Sequence, residues 1–343
     1  MLHRFLRPFS SLYALVTGVR NKLYDSGLKP VLRPAQATIS VGNLTVGGTG
    51  KTPMIEYLVE RLSGTYRVAT LSRGYGRQTR GFRLAGPTDT AQTIGDEPLQ
   101  LYRKFGTAPD RSVLVAVGER RADALRHLHR TQPQVDVVLL DDALQHRAVQ
   151  PALNLLLTDV NRPFYADHPF PEGRLRESRY GARRADAVLV TKCPDDLSES
   201  EQARMAGCLR PYTRPDIPVF FTGLHYGLPI SFATQQAVET LTDVVLVSGL
   251  ANADALERYV SREFRLLRHE RFADHYAYTR SDYERLRASL PPGAALLTTE
   301  KDWVKLDALL TGAERVALYY LPITVRFLAG ESAFGVLMQR AIG

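Results

Sequence analysis

The chain has 343 residues, 44% apolar and 23% charged, which are globular proportions and exclude a disordered or collagen-like chain. At about 150 residues per domain the length predicts two domains. Lysine and arginine number 44 against 36 acidic residues, and the resulting +8 favours an anionic partner: nucleic acid, a phosphorylated ligand or a membrane surface.

Leu2, Phe5, Leu6, Phe9, Leu12, Tyr13 and Val16 share one broad helical face by i, i+3, i+4, i+7 spacing. Arg4 and Arg7 precede the apolar stretch 10–19, and Arg20 and Lys22 follow it. That stretch is far short of the roughly 20 residues a membrane span needs. Residues 1–28 therefore read as an amphipathic helix, either docked on the body of the protein or lying in a headgroup layer. The four flanking positive charges tip the balance to the membrane interface. A signal peptide is excluded, because no small-x-small site precedes a suitable mature start.

Residues 37–41 read as a buried strand. Gly42-Asn43-Leu44-Thr45-Val46-Gly47-Gly48-Thr49-Gly50-Lys51-Thr52 follows, and residues 54–62 carry helical periodicity. Pro53 falls in the first turn, where a missing N–H costs little. Strand, glycine-rich loop, Gly-Lys-Thr and helix form the context a P-loop requires. Backbone N–H groups of Thr45, Val46, Gly47, Gly48, Thr49 and Gly50 would converge on phosphate oxygens at a helix N-terminus. Lys51 would reach the β- and γ-phosphates and the Thr52 hydroxyl would ligate Mg²⁺. The strict pattern has glycine where Thr45 stands, and the competing local reading is a glycine-rich turn capped by a threonine.

A second strand at 66–71 leads into Ser72-Arg73-Gly74-Tyr75-Gly76, where Arg73 is either a phosphate contact or a loop arginine. Gly95-Asp96-Glu97-Pro98 precedes a helix at 98–105, and on local grounds Asp96 is an N-cap. A strand at 113–117 is followed by Arg120 and Arg121. The apolar run 135–140 ends in Asp141 and Asp142, where a central parallel strand would deliver carboxylates to the phosphates in a Walker B role. A GTPase DxxG would need glycine at 144 or 145, yet Leu144 and Gln145 stand there. Thr191-Lys192-Cys193-Pro194 lacks the aspartate of a guanine-reading TKxD, so ATP is the expected nucleotide.

Strands at 153–157 and 186–191 complete a parallel α/β pattern. Cys193 and Cys208 form neither a disulfide framework nor a CxxC pair, which fits a reducing compartment and argues against structural zinc. Pro211, Pro215, Pro218, Gly223, Gly227 and Pro229 punctuate a boundary. Strands at 244–247, 294–298 and 316–320 and helices near 252–261 and 281–290 follow. The expected fold is α/β: a P-loop NTPase-type, mostly parallel sheet domain over 29–215 and a smaller α/β domain over 216–343.

The segments 40–53, Leu71-Ser-Arg-Gly-Tyr-Gly76, Gly95-Asp-Glu-Pro98, Asp141-Asp-Ala-Leu-Gln-His146, Phe272-Ala-Asp-His-Tyr276 and Thr298-Thr-Glu-Lys-Asp302 occur in order, as does Arg20-Asn-Lys-Leu-Tyr-Asp25. Together they resemble the tetraacyldisaccharide 4′-kinase family, nearly end to end, and Thr45 is part of that family's loop. The resemblance implies ATP-dependent phosphorylation of the 4′-hydroxyl of tetraacyldisaccharide 1-phosphate, giving lipid IVA in lipid A biosynthesis. It implies work at the cytoplasmic face of a Gram-negative inner membrane by a peripheral or monotopic protein, with ATP and Mg²⁺ and no protein partner. The family usually has glycine after the acidic pair, where Ala143 stands here with narrower backbone choices.

The same resemblance makes Asp96 the base, acting with His275, and adds Lys51 and Arg121 to the catalytic set, with Arg120 leaving that register open by one. It places Glu97 with Thr52, Asp141 and Asp142 around the metal. It puts Asn43, Arg73, Arg176 and Glu177 on the substrate. His275 lies in the second half, so the site is expected between the domains. Two rivals stand beside this reading. A dethiobiotin-synthetase-type P-loop enzyme would not need the basic N-terminus, and a nucleotide-gated membrane adaptor would not need Asp96 and His275 as a pair. No nucleic-acid-binding motif is present.

Overall fold

The computed structural model of the chain describes residues 2–107 and 113–343, with side chains from Leu6 onward in the first helix. The contributions expected of Leu2, Arg4 and Phe5 fall on side chains outside the described residues. The chain opens with the helix Leu2–Asp25. It then lays down β1 (Ala37–Asn43), β2 (Val68–Ser72), β3 (Arg83–Leu84), β4 (Leu114–Val117), β5 (Val137–Asp141), β6 (Leu153–Asp159), β7 (Ala187–Thr191) and β8 (Val219–Tyr226). A second group follows: β9 (Ile230–Ser231), β10 (Asp243–Ser248), β11 (Arg265–Arg271), β12 (Ala295–Thr299) and β13 (Leu318–Leu321). The last strand is β14 (Ile323–Phe327).

The larger sheet has the order β14-β8-β7-β6-β1-β5-β2-β4-β3. Every pair from β8 to β4 is parallel, and only the edge strands β14 and β3 run antiparallel. Strands buried on both faces read as continuous apolar runs, which is why β1, β5 and β7 were legible. The register pairs Val41 of β1 with Asp141 of β5, so the glycine-rich loop and the acidic pair leave the sheet side by side. Ligands of open parallel sheets bind at this carboxyl end. The smaller sheet, β11-β10-β12-β13-β9, is parallel apart from β9.

The boundary differs from the expected division at 215/216. β8 extends the larger sheet, and β14 returns to it from the far end of the chain. The closing helix Glu331–Ile342 then buries Phe334 and Met338 in the core under β1. The chain thus crosses between the sheets twice, before β9 and after β13; a run of prolines and glycines marks the first crossing, and the single Pro322 marks the second.

The two units share a core. Ile94, Leu99 and Val117 from the first pack with Phe232, Val247, Trp303 and Tyr320 from the second. Beside them lies a buried ionic cluster. Lys104 Nζ is 2.7 Å from Glu56 on the helix Lys51–Leu62, and 3.0 Å from Glu300 at the head of the helix Glu300–Asp307. Gln100 donates to the other oxygen of Glu56 at 2.6 Å. Burial and Glu300 push the Glu56 carboxyl up to about 7, and Lys104 offsets them only in part. Burial also works against the Lys104 ammonium, but the two carboxylates outweigh it and raise its pKa.

Lys104→Met would leave two buried carboxylates without their cation, a loss of about 3 kcal/mol or more. A raised carboxyl pKa means the folded chain keeps its proton longer than the unfolded chain. Glu56 therefore costs stability as pH rises from the ordinary glutamate value to about 7. The destabilisation of Lys104→Met is accordingly expected to be larger at pH 8 than at pH 5. Denaturant unfolding of both proteins at the two pH values measures this.

Candidate active site

Gly50 caps the helix Lys51–Leu62 with φ 82°, a left-handed conformation that favours glycine, and the loop before it curls over the end of β1. The loop is held from three sides. Asn43 donates to Thr49 Oγ1 at 2.8 Å from below. Thr191 donates to the Thr49 carbonyl at 2.9 Å, and Lys192 reaches the Gly48 carbonyl at 2.5 Å while paired with Asp159 at 2.7 Å. On the third side Val46 donates to the Arg174 carbonyl at 2.8 Å and Arg176 to the Leu44 carbonyl at 2.7 Å, with Thr45 bridging Leu175. Thr45 and Thr49 are buried, whereas Val46, Gly47 and Gly48 are exposed. Thr191-Lys192, which fails as a guanine reader, thus braces the phosphate loop.

Asp141 closes β5 and is buried, with Oδ1 lacking a hydrogen-bond partner. Burial first and the like charge of Glu97 second push its carboxyl up to about 7, against Lys51 and Arg121. Asp142 follows at φ 50°. Lys51 Nζ lies 3.5 Å from its Oδ1 and Arg176 donates to its Oδ2 at 2.7 Å. Burial opposes the charged form, but these two cations outweigh it and hold the Asp142 carboxyl low. The left-handed position is Asp142, and Ala143 is not among the positive-φ residues, so the glycine-to-alanine departure meets no backbone conflict.

A buried, repelled carboxylate with an orphaned oxygen is one that a divalent cation relieves. Thr52 follows Lys51 on the same turn, and Glu97 acts electrostatically on Asp141. Among the described residues no group of three or more His, Cys, Asp or Glu is placed to hold a metal ion, so Asp141 and the Thr52 hydroxyl are left as an open, partial set. Such a set fits Mg²⁺, which binds through one or two carboxylates and takes its other ligands from phosphate and water.

Asp96 is the first residue of the short helix Asp96–Leu101, after Gly95 at φ 94°. A Cβ on Gly95 would meet the Tyr75 carbonyl at 2.9 Å, so this glycine lets the Asp96 turn press against the Ser72–Gly76 loop. The N-cap position of this helix is Gly95, so Asp96 stands one residue inside it and is not the cap. Its Oδ2 instead lies 3.2 Å from His275 Nδ1, and 3.6 Å from Lys305 Nζ. Burial would raise the Asp96 pKa, but the hydrogen bond from His275 and the charges of Lys305 and Lys301 act against it, and the carboxyl sits below its ordinary value. His275 is held at φ 57° in the loop after β11, with the Tyr75 ring 5.5 Å from its own. The aromatics Phe272, Tyr276 and Tyr278 pack together beneath it.

Arg121 is 2% exposed, and its guanidinium donates to the carbonyls of Gly118 and Asp141. Burial pushes it down to about 10 against the pull of Asp141 and Asp142. Its neighbour Arg120 is exposed and paired with Asp123, so Arg121 and not Arg120 is the one that lies against Asp141. Arg73 is exposed at the rim, near enough to act electrostatically on Arg121.

Asn43 and Glu177 correct the substrate expectation. Asn43 is fully buried beneath the loop. Glu177 is 3% exposed and accepts from Asn21 at 2.7 Å, Gln145 at 3.0 Å and Arg184 at 2.6 Å. Both side chains brace the site from within, because every donor that satisfies Glu177 comes from the protein itself. Sequence reading gave no role to Gln145, Thr191, Lys192, Lys301 or Lys305. Motif membership was the only signal for the first four, in segments 141–146, 191–194 and 298–302, and Lys305 lies outside every one of these segments.

The N-terminal helix is both docked and exposed. Ser10 accepts from the Glu172 amide, Tyr13 donates to the Arg176 carbonyl and Arg20 to the Gln145 carbonyl. On the opposite side Phe9, Leu12, Leu15, Val16 and Val19 are each 53–63% exposed. The outward stripe is rotated from the expected face: Tyr13 turns inward, and Leu15 and Val19 take part. No helix among the described residues is long and apolar enough to cross a membrane.

Comparison with known proteins places these features in a family. The family model for tetraacyldisaccharide-1-P 4′-kinase matches residues 2–342. The tetraacyldisaccharide 4′-kinase of Cytophaga hutchinsonii is 40% identical over 324 residues, covering 93% of this chain and 90% of its own. That of Flavobacterium johnsoniae is 40% identical over 346 residues, covering 100% and 98%. The crystal structure of the "apo" form of LpxK from Aquifex aeolicus in complex with ATP matches with a TM-score of 0.79 and 28% identity, over 100% of both chains.

Lys192→Met removes a charge-assisted tie to the loop worth about 1.5–3 kcal/mol. The KM for ATP is expected to rise about tenfold or more, with a smaller change in kcat; steady-state kinetics at varied ATP checks this.

Proposed function

The chain belongs to the tetraacyldisaccharide-1-P 4′-kinase family, and from that membership we propose how it moves the γ-phosphoryl group of ATP to the 4′-hydroxyl of tetraacyldisaccharide 1-phosphate. The product is lipid IVA. A P-loop enzyme acting on a small soluble substrate and a non-enzymatic adaptor both give way to this assignment.

The triphosphate lies along residues 45–50, where backbone N–H groups and the helix N-terminus supply positive potential. Lys51 moves between Asp142 and the γ-phosphate, and Arg121 and Arg73 add charge as the transferring group develops its own. Thr52 and Asp141 would hold Mg²⁺, with Glu97 and Asp142 completing its surroundings through water, and the ion would supply charge neutralisation on the phosphates. Arg176, from the segment beside the phosphate loop, contacts the substrate's phosphate. Asp96 accepts the proton of the 4′-hydroxyl as the oxygen attacks in line, and His275 orients that carboxylate. The reading is carried by one observation: Asp96 and His275 are 179 residues apart and come from different units, yet they meet at 3.2 Å beside the phosphate loop.

The substrate is a lipid, and the outward stripe of the first helix supplies the surface to meet it. The helix lies in the headgroup layer at the cytoplasmic face of the inner membrane, with Phe9, Leu12, Leu15, Val16 and Val19 entering the acyl boundary. Its inward face is fastened to residues 145, 172, 176 and 177 around the site. Domain division follows the same reading: residues 29–226 with 323–343 carry the nucleotide, and residues 230–321 bring His275.

Asp96→Asn is expected to lower kcat by about 10²–10⁴-fold while leaving the KM for ATP within about threefold. Transfer of radiolabelled γ-phosphate to the lipid in detergent measures this. A matching loss of ATP affinity would make Asp96 a metal or structural residue instead.

Leu12→Glu with Val16→Glu is expected to shift the protein off anionic vesicles by about tenfold or more in partition coefficient, since each buried apolar side chain contributes about 1.5–3 kcal/mol. Both residues point outward, so folding and ATP binding are expected to stay intact. Vesicle sedimentation checks the shift, and unchanged partitioning would refute the membrane role.

A further inference from the structure

The helix Glu300–Asp307 places Lys301 and Lys305 one turn apart, on one face, against the two members of the Asp96–His275 pair. Lys301 Nζ lies 3.2 Å from His275 Nε2 and 3.2 Å from Asp274 Oδ1. Lys305 is buried, with Nζ 3.6 Å from Asp96 Oδ2, 3.0 Å from Asp302 Oδ1 and 3.0 Å from the Tyr276 carbonyl. The Tyr278 ring sits 5.3 Å from the same ammonium. One lysine faces the histidine and the other the carboxylate.

Donor and acceptor chemistry then decides the arrangement. An ammonium has three donors and no acceptor. The histidine nitrogen facing Lys301 must therefore accept, and a neutral imidazole with Nε2 as acceptor carries its proton on Nδ1. Nδ1 is the atom aimed at Asp96 Oδ2. Lys301 thus selects the tautomer in which His275 donates to the carboxylate. Lys305 works on the other partner. Its charge meets the same Oδ2, so the histidine and the lysine converge on one oxygen and leave Oδ1 outside both contacts. Its bond to the Tyr276 carbonyl also fixes the backbone next to His275, which is held in a left-handed conformation.

We propose that Lys301 and Lys305 are positioning residues for phosphoryl transfer, Lys301 by setting the His275 tautomer and Lys305 by orienting the Asp96 carboxylate. The inference rests on the reading of Asp96 as base and deepens it. Both lysines belong to the unit opposite Asp96, so the base is oriented only where the two units meet.

A double-mutant cycle separates positioning from mere structure. In the wild-type background Lys301→Met and Lys305→Met are each expected to lower kcat about 10–100-fold, with the KM for ATP within about twofold. In an Asp96→Asn background the same substitutions are expected to cost less than about threefold, because residues acting through one group are non-additive. Lys305→Arg is expected to recover part of the lost turnover. Lys305→Gln keeps a donor for the Tyr276 carbonyl and serves if the methionine variant does not fold. Equal losses in both backgrounds, or wild-type kcat in the lysine variants, would overturn the proposal.

Imidazole ¹⁵N spectra of the full-length protein give a readout independent of turnover. The His275 signals are expected to report the Nδ1–H tautomer in the wild type and to move toward Nε2–H in Lys301→Met. An unchanged tautomer would overturn the role of Lys301. If Asp96→Asn alone kept wild-type turnover, the base reading would fail, and the spectra would still decide whether Lys301 sets the tautomer.

Discussion

Asp96 is a partly buried carboxylate at a seam between two sheets, and a charge in such a place persists only if cations or donors meet it. None of those groups comes from its own unit. His275 stands on the loop after β11, and Lys305 on the helix after β12. Their combined effect outweighs burial and keeps the carboxyl ionised. The shared apolar core around Leu99 and Trp303, and the Glu56–Lys104–Glu300 cluster, hold the seam that makes this matching possible. Lys104 is decisive there, because its single ammonium joins the phosphate-loop helix to the head of the helix that bears Lys301 and Lys305.

The phosphate site follows the same logic of satisfied charge. Asp141 and Asp142 are adjacent in sequence but opposite in electrostatics. Asp142 is matched by Lys51 and Arg176 and stays low, whereas Asp141 is buried against Glu97 and rises. Two neighbouring carboxylates thus have their pKa values pushed apart, because one is met by two cations and the other is buried against a like charge. Glu177 then links this centre to the first helix. It collects Asn21 of that helix, Gln145 of the loop after β5, and Arg184. Together with the bonds from Ser10, Tyr13 and Arg20, this buried carboxylate fixes the first helix relative to the glycine-rich loop.

Much of this was legible in the residues. The parallel strands announced themselves because burial on both faces demands unbroken apolar runs. The turn from β1 into the helix Lys51–Leu62 was legible because glycines, Lys51 and Thr52 occur at a spacing that few other structures need. Asp96 was ambiguous: local rules made it a helix cap, and only its place one residue past the Gly95 cap and its tie to His275 remove that reading. The strand β14 and the closing helix went unread as parts of the first sheet, because a sequence pattern gives an element's type without its neighbours. The helix stripe was read with a small rotation, since Tyr13 is apolar by type yet spends its hydroxyl on Arg176.

By itself the sequence determined the chemistry available: a phosphate loop, an acidic strand end, an aspartate and a distant histidine, a basic amphipathic start and the family they resemble. These are local properties, fixed by residue type, spacing and periodicity. Only the tertiary structure decided which groups meet. It set Arg121 rather than Arg120 against Asp141, and turned Glu177 and Asn43 inward. It also brought Lys301 and Lys305 to the His275–Asp96 pair. The reason is physical. The cost of a buried charge depends on partners that the chain supplies from remote positions, and no local pattern carries their location.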